Sequence, residues 1–307
     1  MKAVFIDANG SLADVARRLH QPDDIALLVN EQPDITPEQI PGVMGDAEIL
    51  IVDHTAVPVE IAQQCKGLKH VVFLGTGARS YMNPEALAEI GIEVHIIKGY
   101  GDTAVAECAF ALMWASAKGF ARMDRGMRAG QWLRTDGIEL TGKTLGLIGF
   151  GGIAAEMARL AIGAGMHVIA YNRSPKTHAG VRFVDLDTVL ASSHVLSVHL
   201  LLNDDTRGFI SAERIAKMRD GVILVNTARG AVINEQALIA GLASKKIGHA
   251  GLDVFDIEPL PADHAFTKIE NVTLSAHSAF RTPEASDNLI EASLNHCRRI
   301  SGRGQQR

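Results

Sequence analysis

The chain has 307 residues, enough for two ordinary domains, and 47% of them are apolar, enough to build a core in each. Its formal net charge of −5 argues against nucleic acid as a partner, because a phosphate backbone is bound by a basic face. Cys65, Cys108 and Cys297 are far apart and form no C-x-x-C pair, so neither a disulfide framework nor a zinc ribbon is expected, and a cytoplasmic protein is.

The first residues, MKAVFIDANG, hold a short apolar run stopped by Asp7, without the long apolar segment of a signal peptide. Strands are predicted at residues 3–6, 25–29, 49–52, 71–74 and 92–97, with helical stretches between them. One of these helices spans 11–19, with Ser11 as its cap and Asp14 in its first turn. A single long helix is predicted from 103 to 128. Its apolar stretch at 109–115 is too short to span a bilayer and is soon followed by Lys118, so no membrane association is expected. A second series of strands follows at 144–148, 167–171, 194–198, 222–226, 249–252 and 272–274. The closing stretch, 283–300, reads as a helix with Pro283 in an early position. Short β-branched runs alternating with helices imply βαβ units and parallel sheets, and two such series imply two α/β domains.

The strand at 144–148 runs into Gly149-Phe-Gly151-Gly152-Ile153-Ala154 and then a helix. This is G-x-G-x-x-A in the context that gives it meaning. The first glycine allows the tight turn, the second lets the backbone approach a pyrophosphate, and the small sixth residue lets helix and strand pack closely. Free N–H groups and a partial positive charge at the helix start then face the phosphates. At the end of the next strand, where NAD sites carry an acidic residue for the ribose hydroxyl, the chain reads Asn172-Arg173-Ser174, with Lys176 close behind. No carboxylate repels a 2′-phosphate there, and Arg173 and Ser174 can hydrogen-bond to one. NADP(H) is therefore the expected cofactor, with NAD(H) as the alternative.

Three later segments each follow a predicted strand: Asn226-Thr-Ala-Arg229-Gly230, Gly251-Leu-Asp253 through Glu258-Pro259, and Leu274-Ser-Ala-His277. Ligands of open α/β sheets bind beyond the carboxyl ends of the strands. Reduction of a 2-oxo acid needs the residue types found there. A forked, permanently charged arginine can hold the carboxylate and polarise the carbonyl. Histidine can protonate the developing alkoxide near neutral pH, and a neighbouring carboxylate favours and orients its imidazolium form. Arg229, His277 and Glu258 are the candidates for these roles.

With these segments the sequence closely resembles the D-isomer-specific 2-hydroxyacid dehydrogenase family. The resemblance covers nearly the whole chain and includes Gly75-Thr76-Gly77, Val105-Ala-Glu107, Gly130-Gln-Trp132, Leu140-Thr-Gly-Lys143, the glycine loop and Leu202 through Thr206. It implies a discontinuous, flavodoxin-like substrate domain (1–100 plus 284–307) and an inserted Rossmann cofactor domain (101–283), with hinge closure on substrate. It also implies a homodimer. By position it implies that Arg229 binds substrate, that Glu258 and His277 form the acid/base pair, and that the amides of Thr76 and Gly77 bind the substrate carboxylate. Gly149, Gly151, Gly152, Ile153, Thr206, Thr227, Ala228 and Asp253 match cofactor contacts.

The sequence departs from the family pattern in places. Ala276 and Leu201 stand where proline is common, Asn234 replaces an aspartate, and Ala78-Arg79-Ser-Tyr-Met follows Gly77. These changes bear on substrate identity, and a glyoxylate- or hydroxypyruvate-type reductase is the leading expectation. Oxidation of another small hydride donor and a non-catalytic, nucleotide-sensing scaffold are the alternatives. No H-E-x-x-H or metal-spaced Cys/His cluster occurs, so no metal is expected. His194 and His199 read as structural.

Overall fold

The computed structural model describes residues 1–32 and 34–302. In chain order the first elements are β1 (Lys2–Phe5), α1 (Gly10–Leu19), β2 (Ala26–Val29), α2 (Ile40–Met44), β3 (Ile49–Val52), α3 (Val59–Ala62), β4 (His70–Phe73), α4 (Pro84–Glu89) and β5 (Glu93–Ile96). Then come α5 (Asp102–Lys118), α6 (Phe120–Arg128), β6 (Thr144–Ile148), α7 (Gly152–Gly163), β7 (His167–Tyr171), β8 (Val181–Phe183), α8 (Leu186–Ser192) and β9 (Val195–Val198). The chain ends with α9 (Ala212–Lys217), β10 (Val222–Asn226), α10 (Glu235–Ala243), β11 (Ile247–Leu252), β12 (Val272–Leu274) and α11 (Pro283–Ile300).

The chain divides into two compact units, Met1–Gly101 with Thr282–Arg307, and Asp102–Arg281. The first holds a five-stranded parallel sheet in the order β2-β1-β3-β4-β5, a doubly wound order of the flavodoxin type. The second holds seven parallel strands in the order β12-β11-β10-β9-β6-β7-β8. Counted from β6, that is the Rossmann order 3-2-1-4-5-6 with one strand added, and the order reverses between β6 and β9.

Each sheet is covered on both faces, which is why its central strands read as continuous apolar runs, whereas the edge strands β5 and β8 carry polar residues. In the first unit Phe5, Ile49 and Ile51 pack against α1 and α11, while Val4, Leu50 and Val52 pack on the opposite face. In the second, α5 and α7 cover the face that carries Leu145, Leu147 and Val225. Burying each such side chain contributes about 1.5–3 kcal/mol, so these positions dominate the stability of both units.

The structure differs from the sequence reading in several places. The expected long helix at 103–128 is two helices, because Gly119 adopts a left-handed conformation (φ 66°) and restarts the chain as α6. Asn9 rather than Ser11 caps α1, its carboxamide oxygen accepting from the Leu12 N–H at 3.1 Å. The short edge strand β8 was not expected, since three residues of mixed burial carry no usable period. His194 and His199 flank β9 rather than lie on it. His194 Nδ1 accepts from the Thr144 N–H, and His199 Nε2 lies 2.9 Å from Ser197 Oγ. Burial pushes His199 down to about 4, so it is neutral at physiological pH. No helix among the described residues is long and apolar enough to cross a membrane.

Candidate active site

The glycine loop joins β6 to α7 at the point where the strand order of the second unit reverses. Gly149 has φ 86°, and a Cβ there would lie 2.6 Å from the His199 carbonyl oxygen, so the turn admits no side chain. A Cβ on Gly151 would meet nothing within 4 Å, and no side chain caps α7. The first turn of this twelve-residue helix, with Gly152 exposed and Ile153 half-buried, thus offers unpartnered N–H groups to an anion.

The end of β7 is fastened to this loop. Asn172 Oδ1 accepts from the Phe150 N–H at 3.1 Å, and its Nδ2 donates to the Ser174 carbonyl at 2.8 Å. Lys176 Nζ donates to the Phe150 carbonyl at 2.8 Å. Asn172 therefore positions the loop, while Arg173 extends into solvent, 83% exposed and 3.5 Å from Asp205. The Thr206 hydroxyl closes the turn after β9, accepting from the Asn203 N–H and donating to the Leu201 carbonyl.

The segment after β10 carries Arg229. Asn226 is buried at the strand end, its Nδ2 donating to the Arg229 carbonyl at 2.9 Å and its Oδ1 accepting from the Ala228 N–H at 3.0 Å. Asn226 was not singled out in the sequence, yet it shapes the Arg229 turn. Among the described residues the guanidinium makes one hydrogen bond, from Nη1 to the Ala228 carbonyl at 2.7 Å. Gly230 lies so close to the next loop that a Cβ would fall 2.0 Å from the Phe255 carbonyl carbon. The hydroxyl of Thr227 is buried and has no partner among the described residues. A buried donor without a partner is costly, and a bound ligand beside Arg229 is the natural way to satisfy it.

Glu258 and His277 meet across the ends of β11 and β12. Glu258 Oε1 accepts from the Phe255 N–H at 2.9 Å, and Oε2 lies 2.6 Å from His277 Nδ1. The carboxylate is thereby oriented by the backbone on one side and orients the imidazole on the other. With Nδ1–H donated to Glu258, Nε2 is left for proton transfer. The His277 and Glu258 side chains are 37% and 33% exposed, so both can be reached.

His277 itself has φ 47°, an uncommon conformation for a residue with a Cβ. Asp253, fully buried, holds it there. Its carbonyl accepts from the His277 N–H at 2.7 Å, and its carboxylate accepts from the Ser275 hydroxyl and from the Ser278 and Ala279 N–H groups. Asp253 thus builds the loop that presents His277, a role that its place in the sequence does not reveal. Asn234 caps α10, accepting from the Ala237 N–H at 2.9 Å, so the exchange for aspartate keeps the cap.

In the first unit, Thr76 and Gly77 follow β4. Thr76 is exposed, and neither backbone N–H has a partner among the described residues. Arg79 is exposed and paired with Glu85.

A family described as D-isomer specific 2-hydroxyacid dehydrogenase, NAD binding domain, matches residues 110–279, more than half of the chain. The chain belongs to the D-isomer-specific 2-hydroxyacid dehydrogenases. This dehydrogenase is 40% identical over 272 residues to a hydroxypyruvate reductase of Thermotoga maritima, covering 84% of this chain and 88% of that protein. It is 35% identical over 248 residues to a glyoxylate reductase of Thermococcus litoralis, covering 76% and 74%. Its structure resembles that of an acyclic imino acid reductase in complex with NADPH and D-Arg, with a TM-score of 0.84, 27% identity and coverage of 99% and 98%. The dehydrogenase is thus an oxidoreductase acting on the CH–OH group of 2-hydroxy acids, with a nicotinamide cofactor.

Proposed function

We propose that this dehydrogenase reduces a small 2-oxo acid of the glyoxylate or hydroxypyruvate type, with NADP(H) preferred over NAD(H). The observation that carries the reaction is the Glu258–His277 pair at 2.6 Å, fixed by the Phe255 N–H and by Asp253. The Arg229 guanidinium grips the substrate carboxylate and polarises the carbonyl. As the carbonyl carbon is reduced, His277 Nε2–H gives its proton to the carbonyl oxygen, and Glu258 holds the imidazolium through Nδ1–H. In the oxidative direction His277 takes that proton back. The nicotinamide supplies or receives the hydride when bound. Gly149, Gly151, Gly152 and Ile153 would hold its pyrophosphate, Arg173 and Ser174 the ribose phosphate, and Thr206, Thr227 and Ala228 the remainder, while Asp253, fully buried, acts through the His277 loop rather than as the cofactor contact expected from the sequence. Thr76 and Gly77 contribute backbone N–H groups to the substrate carboxylate. The two named reductase relatives favour the substrate class.

The cofactor preference rests on the absence of a carboxylate directly after β7 and on the exposed Arg173. The structural relative bound to NADPH favours it too. The assay is initial-rate reduction of glyoxylate and hydroxypyruvate with NADPH and NADH in parallel, for the wild type and Arg173→Ala. The wild type turns over faster with NADPH. The variant raises KM for NADPH on the order of tenfold and leaves that for NADH nearly unchanged. Equal losses for both cofactors would remove Arg173 from the 2′-phosphate, and absence of turnover would remove this substrate class.

Assembly as a homodimer belongs to the same proposal. It is supported by Phe120, Met127 and Trp132, large apolar side chains left exposed along α6 and the segment after it. The cytoplasmic location, read from the cysteine pattern, belongs to it as well.

A further inference from the structure

The first unit carries a side-chain cluster that the dehydrogenase chemistry does not use. His70 opens β4, and Glu93 and His95 stand two residues apart on the edge strand β5. His70 and Glu93 are register partners across the parallel pair. Residues two apart on a strand share a face, so all three side chains leave the sheet on one side. That side is the one α11 covers: Val72 and Ile97, two residues beyond His70 and His95, pack with Leu289, Ile290 and Leu294.

Their polar atoms converge. His70 Nδ1 lies 3.2 Å from His95 Nε2, and Glu93 Oε2 lies 3.6 Å from the first and 3.7 Å from the second. An ion in tetrahedral coordination, with bonds of about 2.0–2.2 Å, holds its ligand atoms about 3.3–3.6 Å apart. The triangle, with edges of 3.2, 3.6 and 3.7 Å, comes within about 0.1 Å of that size, whereas a hydrogen bond between the two rings accounts only for its shortest edge. Two imidazoles and a carboxylate are a recurrent ligand set for zinc, with a further position left open. Both rings are largely buried, at 21% and 16% exposure, while Glu93 reaches water at 69%. The His296 ring of α11 borders the cluster, 5.7 Å from that of His95.

We propose that His70, Glu93 and His95 form a binding site for a divalent transition-metal ion, zinc by its ligand set. The ion ties the edge strand β5 to β4 beneath α11. The ligands are separated in sequence and joined only by strand register, which is why no metal spacing is visible in the chain.

The test uses the full chain, stripped of metal and titrated with Zn²⁺ against a chromophoric chelator, with thermal unfolding followed in parallel. The wild type takes up a single tight ion per chain, and its Tm rises. Loss of groups that merely support a ligand costs about 10–100-fold in affinity, so removing a ligand in His95→Gln costs at least about tenfold and abolishes the rise in Tm. Glu93→Gln, at an exposed position, gives the same loss and serves if His95→Gln fails to fold. Zinc uptake that is absent in the wild type, or undiminished in both variants, overturns the site.

Discussion

Replacing His277 with asparagine lowers kcat by a factor on the order of 10²–10⁴ and leaves cofactor binding nearly intact. The size of the loss follows from what the side chain does. Its Nδ1 is engaged by Glu258 at 2.6 Å, so Nε2 is the atom that delivers the proton, and nothing in the carboxamide replaces it. Asparagine is the better first substitution because position 277 has φ 47°, and asparagine tolerates that region where alanine pays for it in backbone strain. A fall in turnover with unchanged thermal stability then reports the missing acid rather than a collapsed loop. His277→Ala shows the same catalytic loss together with a lower Tm. Turnover within a few-fold of the wild type in His277→Asn would remove this residue from the proton transfer.

Arg229→Lys lowers kcat/KM for the 2-oxo acid on the order of 10²–10³-fold, through both KM and kcat. Lysine keeps the charge but loses the planar fork that can grip a carboxylate and still donate to a carbonyl. The turn that carries the side chain remains, because Asn226 holds it through the Arg229 carbonyl and the Ala228 N–H rather than through the guanidinium. Steady-state kinetics with the cofactor saturating separates the two effects. A lysine variant with unchanged kcat/KM would show that a simple positive charge suffices and that the forked geometry does not matter.

The parts of this structure that were legible in the sequence are those in which local pattern and local chemistry coincide. The apolar runs of β6, β9 and β10 are buried throughout or nearly so, and each carries its own signal. The glycine loop could be read because strand, turn and helix follow one another directly. Arg229, Glu258 and His277 could be read because each stands just past a strand end, where parallel sheets of this kind bind ligands. What remained hidden depends on contacts between distant residues. Asp253 reaches Ser275, Ser278 and Ala279 across more than twenty positions, and no local pattern announces it. The break at Gly119 was masked by apolar residues on both sides, since a glycine inside a helical pattern can be tolerated or can end it. The His70–Glu93–His95 cluster exists only through the register of β4 against β5, which a single sequence does not display.

The measurement closest to the central claim is the stereochemistry and stoichiometry of the product. Hydroxypyruvate is incubated with NADPH and the enzyme, cofactor loss is followed by absorbance, and the glycerate formed is resolved by chiral chromatography. D-glycerate is expected, equimolar with the NADPH consumed, and formed on the order of 10²–10⁴-fold more slowly with His277→Asn. Formation of the L-isomer, or the D-isomer at an undiminished rate in that variant, would contradict the assignment of Arg229, Glu258 and His277 as the reacting set.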